Sequence, residues 1–180
     1  MRLLIAALIA PFLAMSAEAP AQRAVPFDAS GIRNFCAAVS SPLVELHPVY
    51  PSQRYGFESY LAEWALVRPD DPVPEIHRKI GRFLNANMPS LLCNQVNFNP
   101  RNGNILKLAV LRQSNSFIRN VLTDWHVDLN QIDAADGKTV LDYIQDRRAR
   151  AGSTSLSRTM DRYYTSFRAA GARHASELRP

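Results

Sequence analysis

The residues best suited to chemistry in this chain are its histidines, its two cysteines and a few carboxylates near them. The four histidines, His47, His77, His126 and His174, lie far apart in the sequence. None of them forms the H-x-x-x-H or H-E-x-x-H spacing with which helices bind zinc. The chain also has no phosphate-binding glycine loop and no G-x-S-x-G nucleophile motif. We therefore expect no metal, no cofactor and no catalytic residue.

Two carboxylate–histidine groupings keep a hydrolase with an unrecognised site as the alternative. Glu45 and His47 lie close together in a proline-rich stretch, and Asp124-Trp125-His126 is a second grouping. A carboxylate near an imidazole can orient it as a general base. Trp125 fits either core packing or contact with a partner. Loss of a measurable activity on replacing Glu45, His47 or Asp124 by alanine would support the hydrolase.

Residues 1–21 are predicted to be a signal peptide. Arg2 provides a short positive end, Leu3 to Ala14 is an apolar stretch too short to span a bilayer comfortably, and Ala19-Pro20-Ala21 fits a cleavage site before Gln22. The alternative is an uncleaved membrane anchor. Cleavage predicts a periplasmic or secreted protein without stable membrane insertion.

The charge of the chain is uneven. Its formal net charge is +5, and 18 of its 21 basic residues are arginines. From Lys138 onward there are nine basic and four acidic residues, so this segment alone has a net charge of +5. Such a surface favours acidic partners, anionic lipid or glycan. Because acidic and small polar residues interrupt the arginines, we do not expect nucleic acid as a partner.

Apolar residues recur at three- to four-residue spacing along most of the chain, which predicts an all-α protein. The pattern contains almost no strand-like alternation. The predicted helices cover residues 31–39, 57–67, 74–87, about 105–111, 117–123, 139–148 and 156–170. Several are too short to be stable alone in water, so they must pack on neighbouring helices.

Two segments of the second half of the chain match each other. They run from Val96 to Val110 and from Leu129 to Ile144. Asn97 and Asn130 are 33 positions apart, and Gly103 and Gly137 are 34 apart. Each segment reads as a turn followed by a short helix. A self-match at this period predicts a solenoid of helical hairpins.

These segments resemble the turn and first helix of the ankyrin repeat, D-x-x-G-x-T-P-L-H-x-A. Gly137, Thr139 and Leu141 match that motif directly, whereas Gly103 and Leu106 match it only with a one-residue gap. Ile105 and Val140 replace the motif's proline, and Lys107 and Asp142 replace its histidine. The alternative is an unrelated helical bundle with a chance match.

The resemblance implies an ankyrin-like helical-hairpin solenoid with an N-terminal capping helix. Residues 22–55 would form the leader and capping helix, and residues 56–180 about three repeats. These repeats would cover residues 56–96, in divergent form, 97–129 and 130–173. The family usually binds proteins through its turn tips and first helices.

In an exported protein Cys36 and Cys93 are expected to form a disulfide bond. Closing that loop would stabilise the fold by roughly 4 kcal/mol in the chain-entropy model. Such a bond would tie the capping helix to the end of the first repeat. The alternative is two buried free thiols.

The sequence therefore predicts an exported protein-binding module whose partner is another protein. A periplasmic immunity or inhibitor protein and an envelope adaptor are two versions of it. The competing class is the small periplasmic hydrolase. The candidate partner-binding residues are Asn99, Arg101, Asn102, Trp125, Asp133, Asp136 and Lys138. Alternatively, the polar members of this set only solvate their turns.

Overall fold

The computed structural model describes residues 27–40, 56–91, 93 and 104–178, and the predicted signal peptide lies outside these ranges. The described residues form α-helices without strands, as predicted. None of the helices in these ranges is long and apolar enough to span a bilayer. The described part of the chain contains eight α-helices, α1 (Ala29–Ser40), α2 (Phe57–Trp64), α3 (Val73–Asn87), α4 (Ile105–Arg112), α5 (Asn115–Thr123), α6 (Val140–Ala151), α7 (Ser155–Ala169) and α8 (Ala175–Leu178).

Consecutive helices pair into hairpins, and the hairpins form a repeat-like stack. Helix α2 packs on α3, α4 on α5, and α6 on α7, while α4 also packs on α6 of the next hairpin. Only Gln113 and Ser114 separate α4 from α5, and a link this short forces the two helices to lie side by side. We call α2, α4 and α6 the first helices and α3, α5 and α7 the second helices.

Helix α4 is apolar nearly all round because it has neighbours on several sides. It contacts α1, α5 and α6, and its residues from Ile105 to Val110 are all buried. Its N-cap Asn104 accepts a hydrogen bond from the Leu106 N–H at 2.7 Å. Its short length and its burial agree with the expectation that it is stabilised by stacking.

Helix α1 begins two residues before the predicted start at residue 31. The Asp28 carboxylate accepts hydrogen bonds from the N–H groups of Ser30 and Gly31. The helix packs on both α2 and α4. Its buried face consists of Phe35, Cys36, Ala38 and Val39. Helix α1 therefore packs against two of the first helices, α2 and α4. A helix that only capped the α2–α3 hairpin would not contact α4.

Cys36 and Cys93 lie at disulfide distance, with their Cα atoms 5.5 Å apart, as the sequence predicts. Both side chains are buried. The bond joins α1 to the segment that follows α3 and a short 3-10 turn over Met88–Ser90. It fixes the N-terminal helix onto the first hairpin.

Three of the described helices are followed by a residue in the left-handed backbone conformation and by the same hydrogen-bonded turn. Leu66, Gln113 and Gly171 follow α2, α4 and α7 with φ values of 55°, 55° and 92°. After each, an N–H group bonds back to a carbonyl five residues earlier, as in the N–H of Ala172 and the carbonyl of Phe167 at 2.9 Å. Gly171 ends α7 as predicted, but the other two positions carry side chains that disfavour this backbone conformation.

The terminal helix α8 is absent from the sequence-based prediction. It begins after His174, whose N–H donates to the Glu177 carboxylate at 2.6 Å. The spacing H-x-x-E is a weak form of the capping box, which normally begins with Ser or Thr. A four-residue helix has too little periodicity to be found by its apolar pattern.

Candidate functional site

The residues that precede α4, α6 and α8 repeat at a constant interval. They are Asn104, Thr139 and His174, which are 35 positions apart in each case. Asn104 and Thr139 are N-caps, and Thr139 forms a capping box with Asp142. The observed interval is one residue longer than the distance from Gly103 to Gly137.

The third residue after each of the first two caps links its own unit to the next. Lys107 on α4 donates to Asp133 at 3.3 Å and to Asp136 at 2.7 Å in the turn before α6. Asp142 on α6 accepts from the Ala175 N–H at 3.0 Å and contacts the His174 ring at 2.7 Å. Lys107 and Asp142 are also 35 positions apart. In the sequence comparison, both residues align with the histidine of the ankyrin motif. In the structure, both link their own unit to the next one.

Two asparagine side chains form hydrogen bonds with the turns that follow α5 and α7. Asn85 donates to the carbonyl of His126 and accepts from the N–H of Asp128. Asn130 makes the same pair of bonds, to the carbonyl of Gly171 and the N–H of Arg173. His126 and Gly171 both have positive φ. The two turns therefore receive the same kind of side-chain support.

A groove of about 280 Å³ lies between α6 and α8 on the side of the turn tips. The turn before α6 provides its rim, α6 its wall and α8 its other edge. Its lining residues are Gly137, Lys138, Asp142, Gln145, Asp146, Ala175 and Ser176. We call this the α6–α8 groove. Five of its seven lining residues have polar side chains, and they come from three successive segments.

The charges in the groove are largely matched. Lys138 forms an ion pair with Asp146, and the hydrogen bond between them raises the pKa of Lys138. Burial opposes the ionisation of Asp142, but hydrogen bonds from the N–H groups of Ala175 and Thr139, then His174, outweigh it and lower its pKa. Gln145 and Ser176 are exposed and uncharged. The groove therefore suits a hydrogen-bonding ligand more than a strongly charged one.

A chain of hydrogen bonds joins Asp142, His174 and Tyr164 beside the groove. The Nδ1 atom of His174 lies 2.7 Å from Asp142, and its Nε2 atom lies 3.1 Å from the Tyr164 hydroxyl. Because the Asp142 pKa is lowered, its carboxylate is ionised at neutral pH and Nδ1 must be the donor. Both ring nitrogens are engaged in joining α6, α7 and α8, so the arrangement positions helices.

The structure separates the predicted partner-binding residues into three groups. Asn99, Arg101 and Asn102 lie outside the described residues. Trp125 is 3% exposed and packs on Phe57 and Phe117, which favours its packing interpretation. Asp133 is also buried, and it accepts from the Asn104 N–H and from Lys107.

The remaining two candidates stay accessible. Asp136 is partly exposed beside Lys107, and Lys138 keeps 45% of its side chain exposed at the rim of the groove. Gln145, Asp146 and Ser176 join them there, although sequence reasoning missed all three. The relevant signal was the capping pattern before α8, which would have placed Ser176 opposite α6.

The described structure contains one of the two carboxylate–histidine groupings proposed for a hydrolase. Glu45 and His47 lie outside it. Asp124 and His126 flank the buried Trp125, and His126 has left-handed backbone geometry. Within the ranges described, no group of three or more His, Cys, Asp or Glu side chains is placed to hold a metal ion.

Comparison of the chain with protein-family models, curated proteins and solved structures gives no significant match.

Proposed function

We propose that this chain is an exported protein-binding module built of ankyrin-like repeats. The observation that carries the proposal is the 35-residue recurrence of caps and inter-unit links at Asn104, Thr139 and His174 and at Lys107 and Asp142. Recurrent local geometry with nearest-neighbour contacts is what defines a repeat stack. The α4–α6 contact between successive first helices supports the same reading.

The recognition surface of the module is the α6–α8 groove together with the turn tip at Asp136 and Lys138. Its partner is another protein. The groove offers amide, hydroxyl and carboxylate groups in alternation, which suits hydrogen-bonded recognition of a peptide backbone or polar side chains. A periplasmic immunity or inhibitor protein, or an envelope adaptor, would use such a surface to occlude or tether its partner.

The proposed disulfide supports the exported location. Cys36 and Cys93 at disulfide distance suit an oxidising compartment such as the periplasm or the extracellular space. The predicted signal peptide at residues 1–21 agrees with that location on independent grounds.

Affinity capture with matched variants tests the proposal. The tagged protein is expressed in its own organism, and its co-purifying proteins are identified by mass spectrometry. A Gln145→Arg substitution adds bulk and charge at the exposed groove wall and should remove the partner. Ala37→Arg, at an exposed position of α1, should retain it. Capture of the same proteins by both variants would contradict the groove assignment.

A further inference from the structure

The second helices carry a row of exposed arginines on their outward faces. Helix α3 presents Arg78 and Arg82, α5 presents Arg119, and α7 presents Arg158 and Arg162. The opposite faces of these helices are apolar and buried. The buried residues include Ile80 and Leu84 on α3, Phe117 and Val121 on α5, and Met160, Tyr163 and Phe167 on α7.

Local contacts connect α5 with both α3 and α7. Gly81 of α3 lies against the backbone that follows α5, where an added Cβ would come within 1.7 Å of the Trp125 carbonyl oxygen. On the other side, the Tyr163 hydroxyl of α7 donates to the Asn115 side chain of α5 at 2.7 Å. We call this row of outward faces the arginine face.

The whole net charge of the chain resides on these helices. Together α3, α5 and α7 contain seven Lys and Arg residues and two acidic residues, a difference of +5. The full chain has 21 basic and 16 acidic residues, which leaves fourteen of each outside the three helices. The remainder of the sequence is therefore neutral on balance. Two of the seven basic residues, Lys79 and Arg168, pair with Asp71 and Glu177 outside the three helices, and the arginines provide the rest of the positive charge.

Most of these arginines are not neutralised locally. Glu75 pairs with Arg78, and Asp161 pairs with Arg148 of α6. Among the described residues Arg82, Arg119 and Arg158 form no ion pair, and the Arg162 guanidinium contacts only the Thr159 hydroxyl. Four guanidinium groups thus remain available to an external anion.

We infer that the arginine face binds the phosphate groups of an anionic lipid surface. Guanidinium groups bind phosphate in a bidentate manner, and arginines spread over three helices match an extended array of phosphates. Of the exposed large apolar residues described, only Val73 lies on these helices, at the first position of α3. The contact is therefore electrostatic and peripheral, without apolar insertion.

This membrane contact is separate from the proposed function. The second helices pack their apolar faces towards the first helices, so their arginines point away from the α6–α8 groove. A molecule held through the arginine face would keep that groove open to a protein partner.

Vesicle co-sedimentation of the purified protein tests the inference. The probes are phosphatidylcholine vesicles with and without phosphatidylglycerol, each at low and high salt. We expect binding only to the anionic vesicles and its loss at high salt. The variant R82Q/R119Q/R158Q/R162Q should weaken binding by about several hundredfold, since each of the four basic residues near an anionic surface contributes about fivefold.

A matched variant separates this face from net charge alone. The substitutions K138Q/R148Q/R150Q/R168Q also remove four positive charges, but each of these residues pairs with a carboxylate. This variant should bind anionic vesicles within a few-fold of the natural protein. Circular dichroism before each assay confirms that both variants are folded.

Several results would overturn the inference. The arginine face would not be the membrane-binding surface if the protein bound neutral vesicles as tightly as anionic ones. The same would follow if the two variants weakened binding to anionic vesicles equally. Displacement by inorganic phosphate at constant ionic strength would indicate a site for free phosphate. Tighter binding to a DNA oligonucleotide than to anionic vesicles would point to nucleic acid. None of these outcomes depends on whether the groove captures a protein.

Discussion

At the residue scale, Leu66 combines a disfavoured backbone with an exposed apolar side chain. Its φ is 55°, and it is 78% exposed, so little burial compensates for its conformation. Leu66→Gly should raise the free energy of unfolding by about 1 kcal/mol, because glycine adopts this conformation without strain. Urea denaturation measures the change. Leu66→Ala is the control and should give little gain, since alanine keeps the Cβ that causes the strain.

Lys107 is the other residue whose environment makes a sharp prediction. Its side chain is fully buried, and it pairs with the buried Asp133 and the partly exposed Asp136. Replacing it with methionine would leave a buried carboxylate without its partner, which costs about 3–5 kcal/mol. Lys138→Met removes an exposed ion pair with Asp146 and should cost less than about 1 kcal/mol. Equal losses in chemical denaturation would show that Lys107 is not held as described.

At the element scale, Gly81 allows α3 to approach the turn after α5. A Cβ at this position would lie 1.7 Å from one backbone atom of Trp125 and 2.9 Å from another, so a side chain requires the elements to separate. Gly81→Ala should destabilise the protein by about 3 kcal/mol, although alanine favours helices. Thermal unfolding measures this. Ala86→Gly, at an exposed position of the same helix, should cost only about 1 kcal/mol.

The joint between α6 and α8 should depend on pH. The pKa of Asp142 is lowered in the folded protein, so its stabilising contribution is present above the unfolded pKa and is lost as pH falls through the folded value. Stability should therefore decline on acidification below about pH 4. In Asp142→Asn this decline should be smaller, as measured by urea unfolding at several acidic pH values.

A matched substitution shows whether the effect belongs to Asp142. Asp124 accepts no side-chain hydrogen bond from the residues that the structure describes, and Asp124→Asn should keep the acid dependence of the natural protein. If Asp142→Asn and Asp124→Asn gave the same profile, the links from Asp142 to His174 and Ala175 would not contribute to stability.

At the scale of the whole molecule, apolar periodicity predicted the helices because their buried faces are continuous. The helix predicted over 74–87 is observed over Val73–Asn87, and the Cys36–Cys93 contact also agrees. The sequence could not place α1 against α4, since such packing depends on contacts between residues far apart. It also missed the α6–α8 groove, because the repeated caps differ in type as Asn104, Thr139 and His174.

Two of the candidate partner-binding residues, Asp133 and Trp125, are buried, and their contacts explain why. Asp133 has the composition of a solvated turn, yet it is buried because Lys107 and the Asn104 N–H both bind it. Trp125 has the composition of an interface anchor, yet the aromatic rings of Phe57 and Phe117 surround it. Residue type alone does not distinguish a recognition tip from an inter-unit link.

The central claim is that stacked helical units present the α6–α8 groove to a protein partner, and site-specific photo-crosslinking in the exporting cell tests it most directly. A photoreactive amino acid at Gln145 or Ser176 should give one discrete adduct with the same protein. The same residue at Ala37, which is exposed on α1, should give none. The account would be contradicted if both groove positions gave no adduct, or if Ala37 gave the same one.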